Sequence, residues 1–216
     1  MRDLTIGFIG LGLIGGSIAR GLKRANPSHF IMAYARRRET LEAALSDGAV
    51  DEALDGVGEE LRRCDYIFLC TPVSCNEEYL SAVKPFLKEG AIVTDVGSVK
   101  TGIHETVKRL GMEASFIGGH PMAGSEKSGY AYSNDHLLEN AYYVITPTPL
   151  SPPDKVEELK QLTLSLSALP LILDFRQHDY IVAGISHLPH LVAACLGNLV
   201  PDKDTPEQTM KQVGGG

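Results

Sequence analysis

A glycine-rich turn between an apolar run and a helical pattern constrains the fold of this chain more than any other feature. The apolar residues 4–9 lead directly into three glycines with GxGxxG spacing, and a helical pattern follows. The first glycine permits a tight turn, the second lets the backbone approach a pyrophosphate, and the third lets the helix pack closely on the strand. The start of the helix would also favour negative charge. The segment therefore predicts a dinucleotide-binding βαβ unit rather than a turn without a ligand. The expected cofactor residues in it are Gly10, Gly12, Leu13, Ile14 and Gly15.

Composition narrows the class of protein further. The chain has 216 residues, of which 44% are hydrophobic and 22% charged, which is typical of a globular chain with one large domain and part of a second. The net charge of −7 argues against nucleic acid and anionic membrane as partners. The first ten residues enter a strand directly, and no apolar run reaches the ~18 residues of a membrane span. We therefore expect a cytoplasmic protein without a signal peptide or membrane segment.

The cysteines favour reduced thiols over disulfides or metal binding. They lie at positions 64, 70, 75 and 195, and no CxxC pair is present. Three of them cluster around one expected strand, which suits partly buried thiols in a reducing compartment. A zinc site built from Cys64, Cys70 and Cys75 is the alternative, but their spacings do not match a zinc knuckle. We expect no metal site.

Strand and helix signals alternate along most of the chain. Strands are expected near residues 4–9, 30–35, 65–70, 91–94, 116–118, 142–145 and 169–173, and helices near 13–25, 40–46, 99–110 and 156–167. Ser74 and Glu77 form a possible capping box before a further helix. A long loop is expected from Gly119 to about Asn134, and loops of this length are usually functional. The alternation predicts an α/β fold of Rossmann type, with a doubly wound and mostly parallel sheet.

The character of the chain changes at Phe175. Residues 175–200 carry apolar side chains around most of a helix circumference, which predicts one long helix buried nearly all round. Little chain follows to cover it, and the sequence ends on three glycines. We therefore expect a dinucleotide-binding domain at 1–174 and, at 175–216, the first part of an all-α domain. The helix would pack in a subunit interface or against a longer chain.

The residues after the second strand indicate which dinucleotide is preferred. An NAD site places Asp or Glu about 20 residues beyond the glycine turn, where it accepts hydrogen bonds from the ribose. This chain instead has Ala35 at that position, followed by Arg36, Arg37 and Arg38. Arginines can bind a 2′-phosphate through their planar donors. The alternative, that they are simply solvated residues at the start of a helix, explains them poorly because the helix dipole disfavours cations there. We therefore expect NADP as the preferred cofactor, with NAD possible.

Other chemistry-bearing residues follow the expected strands, at the sheet edge where open α/β folds bind ligands. Thr71 and Pro72 follow one strand and are expected at the cofactor. Ser98 follows the next strand, where it could cap the following helix, and such a cap does not exclude contact with a ligand. His120 opens the long loop directly after a strand. Its imidazole is suited to general-base work, and a loop histidine bonded to backbone is the alternative.

Five motifs together resemble the prephenate and arogenate dehydrogenase family. They are GLGLIGGS at 10–17, DVGSVK at 95–100, GHPMAGSEKSG at 119–129, HD at 178–179 and SHLPH at 186–190. The resemblance covers the chain from about residue 5 onward. It implies an enzyme of tyrosine biosynthesis and a homodimer whose two chains join through their C-terminal helical regions. It also implies oxidative decarboxylation of prephenate or arogenate with hydride transfer to NAD(P)⁺.

The resemblance assigns roles to individual residues. His120 is expected to accept the proton of the ring hydroxyl, and Ser98 to bridge this histidine and the nicotinamide amide. Four residues are expected at the substrate, namely Ser125, Glu126, Lys127 and His187. For Ser125–Lys127 a solvated loop is the alternative. His187 and His190 lie three residues apart on one helix face, but the chain offers no third ligand at a suitable offset for a metal.

Two readings compete with this one. The chain could be another NADP-dependent hydroxyacid or imine reductase of related fold, although such enzymes usually place a lysine on the helix after the catalytic loop. It could also be a non-catalytic NADP-binding module. In the resembled family, further helices follow the final glycine-rich stretch, and they carry an arginine that binds a substrate carboxylate. The sequence does not choose between prephenate and arogenate.

Overall fold

The computed structural model describes residues 2–189 and 191–195, except for the side chain of His187. The chain consists of two compact units, Met1–His178 and Asp179–Gly216. The strands of the described chain are β1 (Thr5–Ile9), β2 (Phe30–Tyr34), β3 (Glu52–Ala53), β4 (Tyr66–Leu69), β5 (Ile92–Asp95), β6 (Ile117–Pro121), β7 (Tyr142–Pro147) and β8 (Leu169–Ile172). Its α-helices are α1 (Leu13–Ala25), α2 (Arg38–Ser46), α3 (Asn76–Val83), α4 (Thr101–Arg109), α5 (Pro153–Ser165) and α6 (Phe175–Val182).

Five parallel strands form the main sheet in the order β3-β2-β1-β4-β5. The strand β1 lies at the centre, where Ile6 pairs with Ile31 of β2 on one side and with Tyr66 of β4 on the other. The strand order reverses between β1 and β4, and ligands of open α/β sheets bind in the crevice beyond the carboxyl ends of strands at such a point. The sheet order therefore places the glycine turn after β1 at the expected binding crevice.

Three further strands extend the first unit in the order β6-β7-β8. The strand β6 is antiparallel to β7, and β7 is parallel to β8. A parallel bridge between Val93 and Phe116 links β5 to the residue before β6. The carboxyl ends of β5 and β6 therefore lie beside each other. The predicted fold class, a mostly parallel Rossmann-type sheet followed by helical chain, is confirmed.

The alternation of side chains along the strands builds a core on each face of the main sheet. Phe8 and Phe68 stack at 5.1 Å between ring centres within one buried apolar cluster. Ile9 and Ile67 point to the other face and join a second cluster with Val107 of α4. Both faces are therefore covered, which is why these strands read as continuous apolar runs.

Several predicted boundaries and caps differ from the structure. The strand β6 continues through Pro121, so that His120 lies within a strand and not in a loop after it. Pairing with β7 continues as far as a hydrogen bond from Met122 N–H to the Tyr142 carbonyl oxygen at 2.8 Å. Pro121 lies opposite Tyr143, one residue before this bond, at a position of the antiparallel ladder where the missing N–H costs no bond. The predicted caps are also wrong. Cys75 holds the cap position of α3 in place of Ser74, and Lys100, not Ser98, precedes α4.

The predicted long helix from Phe175 is helical throughout its described part, but its type changes along the way. The α-helix α6 ends at Val182, a π-helical turn follows over Ala183–His187, and residues 188–189 and 191–195 are again α-helical. Pro189 favours such a change, because its nitrogen carries no hydrogen to donate to the carbonyl four residues earlier and its ring clashes with that carbonyl in an α-helix. Apolar side chains such as Ile185 and Leu191 are exposed in the single chain, so their cover by a subunit interface or by a longer chain stays a prediction. The predicted helix beyond residue 195 lies outside the described residues.

Candidate functional site

The glycine turn after β1 has the geometry that its spacing predicts. Gly10 has φ of +90°, and a Cβ there would lie 2.7 Å from the carbonyl oxygen of Cys70. A Cβ on Gly15 would lie 2.7 Å from the carbonyl oxygen of Gly10, so these two positions need glycine for packing. A Cβ on Gly12 would meet nothing within 4 Å. The protein itself therefore does not require glycine at position 12, whereas a ligand that approaches the backbone would.

A cleft of about 970 Å³ opens at this turn and brings most of the predicted cofactor residues together. Gly12 lines this cleft and is the N-cap of α1. Because glycine has no side chain that could cap the helix, the first backbone N–H groups of α1 can donate to a ligand in the cleft. The predicted cofactor residues that line it are Gly10, Gly12, Ala35, Arg36, Arg37, Thr71 and Pro72. Leu13 and Ile14 are half-buried at the start of α1.

Positive charge is available where β2 reaches the cleft. Arg36 and Arg37 are exposed, and within the described chain neither guanidinium forms a hydrogen bond or ion pair. Arg38, by contrast, is the first residue of α2 and contacts Asp55 at 3.1 Å. Ala35 leaves the end of β2 without an acid. The rim of the cleft is therefore suited to an anionic group.

His120 is held by a second histidine that the sequence analysis did not place at the site. The ring of His120 is 8% exposed, and its Nδ1 shares a hydrogen bond of 2.8 Å with Nε2 of His178. His178 is fully buried on α6 within the first unit. The bond fixes the plane of the His120 ring and directs its other nitrogen away from His178. The HD motif contained this residue, but nothing in its spacing linked position 178 to position 120.

A buried ion pair clamps the loop after β5 to the residue before His120. The carboxylate of Asp95 accepts hydrogen bonds from the Lys100 ammonium, from Gly97 N–H at 2.9 Å and from Gly119 N–H at 3.2 Å. Lys100 also donates to the carbonyl oxygen of Gly119 at 2.7 Å. Both charged side chains are almost completely buried. The pair therefore sets the backbone on each side of the loop and immediately before His120.

Ser98 lies in this clamped loop and is exposed. It does not line the cleft. Ser98 lies between Gly97 and Lys100, which both bind the Asp95 carboxylate. Its side chain does not cap α4, and the structure shows no hydrogen bond between Ser98 and His120. The structure thus locates Ser98 in the loop next to the strand of His120 without joining the two side chains.

A third buried histidine lies beneath the strand of His120. His104 of α4 shares a hydrogen bond of 3.0 Å with Thr146 Oγ1 of β7 and stacks on Phe175 at 4.4 Å between ring centres. Phe175 is the first residue of α6, the helix that carries His178. His104 therefore helps to fix the start of α6 against the sheet.

The predicted substrate residues are not gathered by the described chain. Ser125, Glu126 and Lys127 are exposed in the loop after β6, and none of them lines the cleft. The backbone N–H of Lys127 donates to Ser125 Oγ at 3.1 Å, and its ammonium lies 5.1 Å from the ring centre of Tyr132. His187 ends the π-helical turn of the second unit, and its side chain lies outside the described residues.

The cysteine thiols form no disulfide in the structure. All four cysteines are free, and burial raises the pKa of the Cys64 thiol to about 12. Across the described residues, no group of three or more His, Cys, Asp or Glu side chains could hold a metal ion. Of the helices in that part of the chain, none has both the length and the apolar character to cross a membrane.

The sheet order, the glycine turn and the cleft define a Rossmann-type dinucleotide-binding protein. The chain belongs to the prephenate dehydrogenase family. The family model for the prephenate dehydrogenase nucleotide-binding domain matches residues 18–169, and the model for its dimerization domain matches residues 174–216.

Relatives of known name support this membership. The chain is 41% identical over 199 residues to a prephenate dehydrogenase of Lactococcus lactis and 37% identical over 201 residues to one of Bacillus subtilis. Each alignment covers 91% of this chain but 53% of the relative. The chain therefore spans about half the length of these curated relatives.

Solved structures of the family share the fold. The Aquifex aeolicus prephenate dehydrogenase in complex with hydroxyphenyl propionate and NAD⁺ is 31% identical, with a TM-score of 0.91, over 100% of this chain and 76% of that chain. The Synechocystis arogenate dehydrogenase is 38% identical, with a TM-score of 0.85, over 97% of this chain and 74% of that chain.

Proposed function

We propose that this chain carries the nucleotide-binding and catalytic half of an enzyme that oxidatively decarboxylates prephenate or arogenate with NADP⁺. The observation that carries the proposal is the buried His120–His178 pair, because it supplies an oriented proton acceptor in a chain of this family. The similarity to proteins named prephenate dehydrogenase and arogenate dehydrogenase supports the substrate class.

The cleft fits a nicotinamide dinucleotide. The open space at Gly12, next to the start of α1, suits a pyrophosphate. The unpaired Arg36 and Arg37, together with Ala35 in place of an acid, suit a ribose 2′-phosphate. A nicotinamide cofactor bound there would accept the hydride. The related enzyme from Aquifex aeolicus was solved with NAD⁺. The proposed preference for NADP therefore depends on residues 35–37 of this chain.

His120 is the proposed general base. As hydride leaves the ring carbon that bears the hydroxyl, the hydroxyl proton passes to the imidazole nitrogen that does not face His178. The electron pair of the bond to the departing CO2 then moves through the ring onto the ring oxygen, which takes the proton back from the His120 imidazolium, so that the ring becomes aromatic as a phenol. The burial of His120 and its bond to His178 reduce the reorientation that proton transfer needs.

The other residues have supporting roles in this proposal. Ser98 would contact the nicotinamide amide from the clamped loop. Ser125, Glu126 and Lys127 would approach the substrate from the loop after β6, and His187 would line the substrate pocket from the helical part. The division into a domain at 1–174 and a helical part at 175–216, and a homodimer joined through the latter, complete the proposal. The match to a dimerization domain at 174–216 supports the dimer.

The cofactor preference has a direct test. Titration of NADPH and NADH should give a lower Kd for NADPH on the wild type. The double variant Ala35→Asp/Arg36→Ala should reverse that order. The new carboxylate would repel the 2′-phosphate of NADPH, whereas it would accept a hydrogen bond from the ribose 2′-hydroxyl of NADH. Lys160→Glu, on α5, changes the net charge by the same two units and is the matched charge control. Tighter binding of NADH by the wild type, or an unmoved order in the variant, would show that residues 35 and 36 do not set the preference.

The reaction has a separate test. Reduction of NADP⁺ should follow addition of prephenate or arogenate, with release of one CO2 per hydride transferred. Tight NADPH binding without turnover of either substrate would instead favour a non-catalytic module. Turnover of a simple hydroxyacid in place of both would favour a related reductase.

A further inference from the structure

Gly16, directly after the glycine turn, has surroundings that the dinucleotide motif does not explain. A Cβ on Gly16 would lie 2.7 Å from Cδ2 of Tyr130 and 2.7 Å from Oγ of Ser133. The helix α1 therefore needs glycine at this position to admit a distant segment of the chain. That segment, residues 128–134, belongs to the long loop after β6.

A cluster of polar contacts fixes this segment to two helices. The Tyr130 hydroxyl donates to Oδ1 of Asp47 at 2.7 Å, at the end of α2. Arg20 of α1 donates to the other carboxylate oxygen of Asp47 at 2.5 Å and to Ser133 Oγ at 3.0 Å. Its guanidinium also lies 4.7 Å from the centre of the Tyr130 ring. We call Arg20, Asp47, Tyr130 and Ser133 the Tyr130 cluster.

Two more hydrogen bonds set the backbone of the segment. The hydroxyl of Ser133 donates to the carbonyl oxygen of Tyr130 at 2.6 Å. The N–H of Asn134 donates to Ser17 Oγ of α1 at 3.1 Å. Tyr130 itself is 6% exposed, whereas residues 124–129 before it are exposed. Tyr130 is thus the first buried residue after Pro121.

The same cluster borders the dinucleotide cleft. Arg20, Asp47 and Tyr130 line the cleft together with Gly12 and Arg36. One wall of the cleft is therefore a segment of the loop whose earlier part carries Ser125–Lys127. A change in how firmly this wall is held would alter both the cleft and that earlier part of the loop.

We propose that Tyr130 is a positioning residue that holds residues 128–134 as the closed wall of the dinucleotide cleft, so that cofactor binding and the order of the loop after β6 are coupled. The inference rests on the proposed nicotinamide binding. The coupling is a population effect, because a cofactor that fits the closed wall binds in proportion to the fraction of molecules in which the wall is closed. The Tyr130–Asp47 bond raises that fraction.

Tyr130→Phe tests the inference with little change in packing. The ring remains over Gly16, but the bond to Asp47 is lost. We expect the Kd for NADPH, measured by its fluorescence, to rise about three- to tenfold, since a hydrogen bond to a charged group is removed. Asp47→Asn leaves one acceptor oxygen for two donors, the Tyr130 hydroxyl and Arg20, and should raise the Kd at least as much. Tyr142→Phe, at an exposed tyrosine of β7, is the matched control and should leave the Kd unchanged.

Proteolysis provides the second readout. Trypsin should cleave after Lys127 more rapidly in Tyr130→Phe than in the wild type, and NADPH should protect the wild type more strongly than the variant. A lower melting temperature with a Kd for NADPH within about twofold of the wild type, and equal protection at Lys127, would show a purely structural role and overturn the inference. Failure of the wild type itself to bind NADPH would instead overturn the proposed function.

Discussion

Lys100→Met should destabilise the chain far more than loss of any surface lysine. The substitution keeps an unbranched side chain that is shorter by one atom, and it removes the ammonium that contacts Asp95 in a buried pair. Breaking a buried ion pair from one side typically costs about 3–5 kcal/mol, because the remaining charge is left without a partner. Asp95 keeps the N–H donors of Gly97 and Gly119, so we expect the lower end, about 3 kcal/mol. That is a large share of a typical unfolding free energy of about 5–15 kcal/mol.

Urea unfolding of four proteins measures this effect. The set comprises the wild type, Lys100→Met, Asp95→Asn and the double variant, which together give the coupling free energy of the pair. Lys160→Met, which loses an exposed contact with Glu157, is the control and should cost less than about 1 kcal/mol. A cost below about 1 kcal/mol for Lys100→Met, with an unchanged slope against urea, would refute the view that this pair holds the loop and strand together.

Three further predictions concern other parts of the first unit and the thiols. Gly16→Ala should lower the melting temperature and weaken NADPH binding, because the new methyl group would collide with Tyr130; calorimetry and titration check this. Burial opposes ionisation of Glu158, but hydrogen bonds, chiefly from Arg2 and Lys155, outweigh it and lower the carboxyl pKa to about 2. This contribution is complete above the ordinary carboxyl pKa and is lost as the pH falls towards 2, so a deficit of about 1–2 kcal/mol in Glu158→Gln at neutral pH should shrink in acid unfolding curves. Iodoacetamide at mildly alkaline pH should label the exposed Cys195 before the buried Cys64, as peptide mass spectrometry would show.

The local part of the fold could be predicted from sequence because its signals are short-range. The helix α1 spans Leu13–Ala25 as the pattern after the glycine turn indicated, and β2 begins at Phe30 as expected. Of the fingerprint glycines, Gly10 and Gly15 have steric causes within a few residues of themselves or directly after the neighbouring strand β4. Arg36 and Arg37 were placed at the cleft by counting along the chain, since a βαβ unit has a nearly fixed length.

The rest depended on contacts between residues far apart in sequence. The bond between His120 and His178 joins positions 58 residues apart, and no periodicity encodes such a pairing. Pairing with β7 turned the predicted start of a loop at Gly119 and His120 into a strand. Gly16 entered the sequence analysis only within the GLGLIGGS motif, whereas its small size makes room for Tyr130, which lies more than a hundred residues later.

The most direct test of the account is the replacement of His120 by Asn, with kinetics measured across pH. If His120 accepts the hydroxyl proton as hydride departs, kcat should fall by about 10²–10⁴-fold with little change in KM. The Kd for NADPH should stay nearly the same, and the acidic limb of the kcat/KM profile should vanish. His136→Asn, at an exposed histidine paired with Glu139, is the control and should keep the wild-type profile. A His120→Asn variant that keeps more than about a tenth of wild-type kcat with an unaltered pH profile would contradict the account and move the base elsewhere, with His187 as the next candidate.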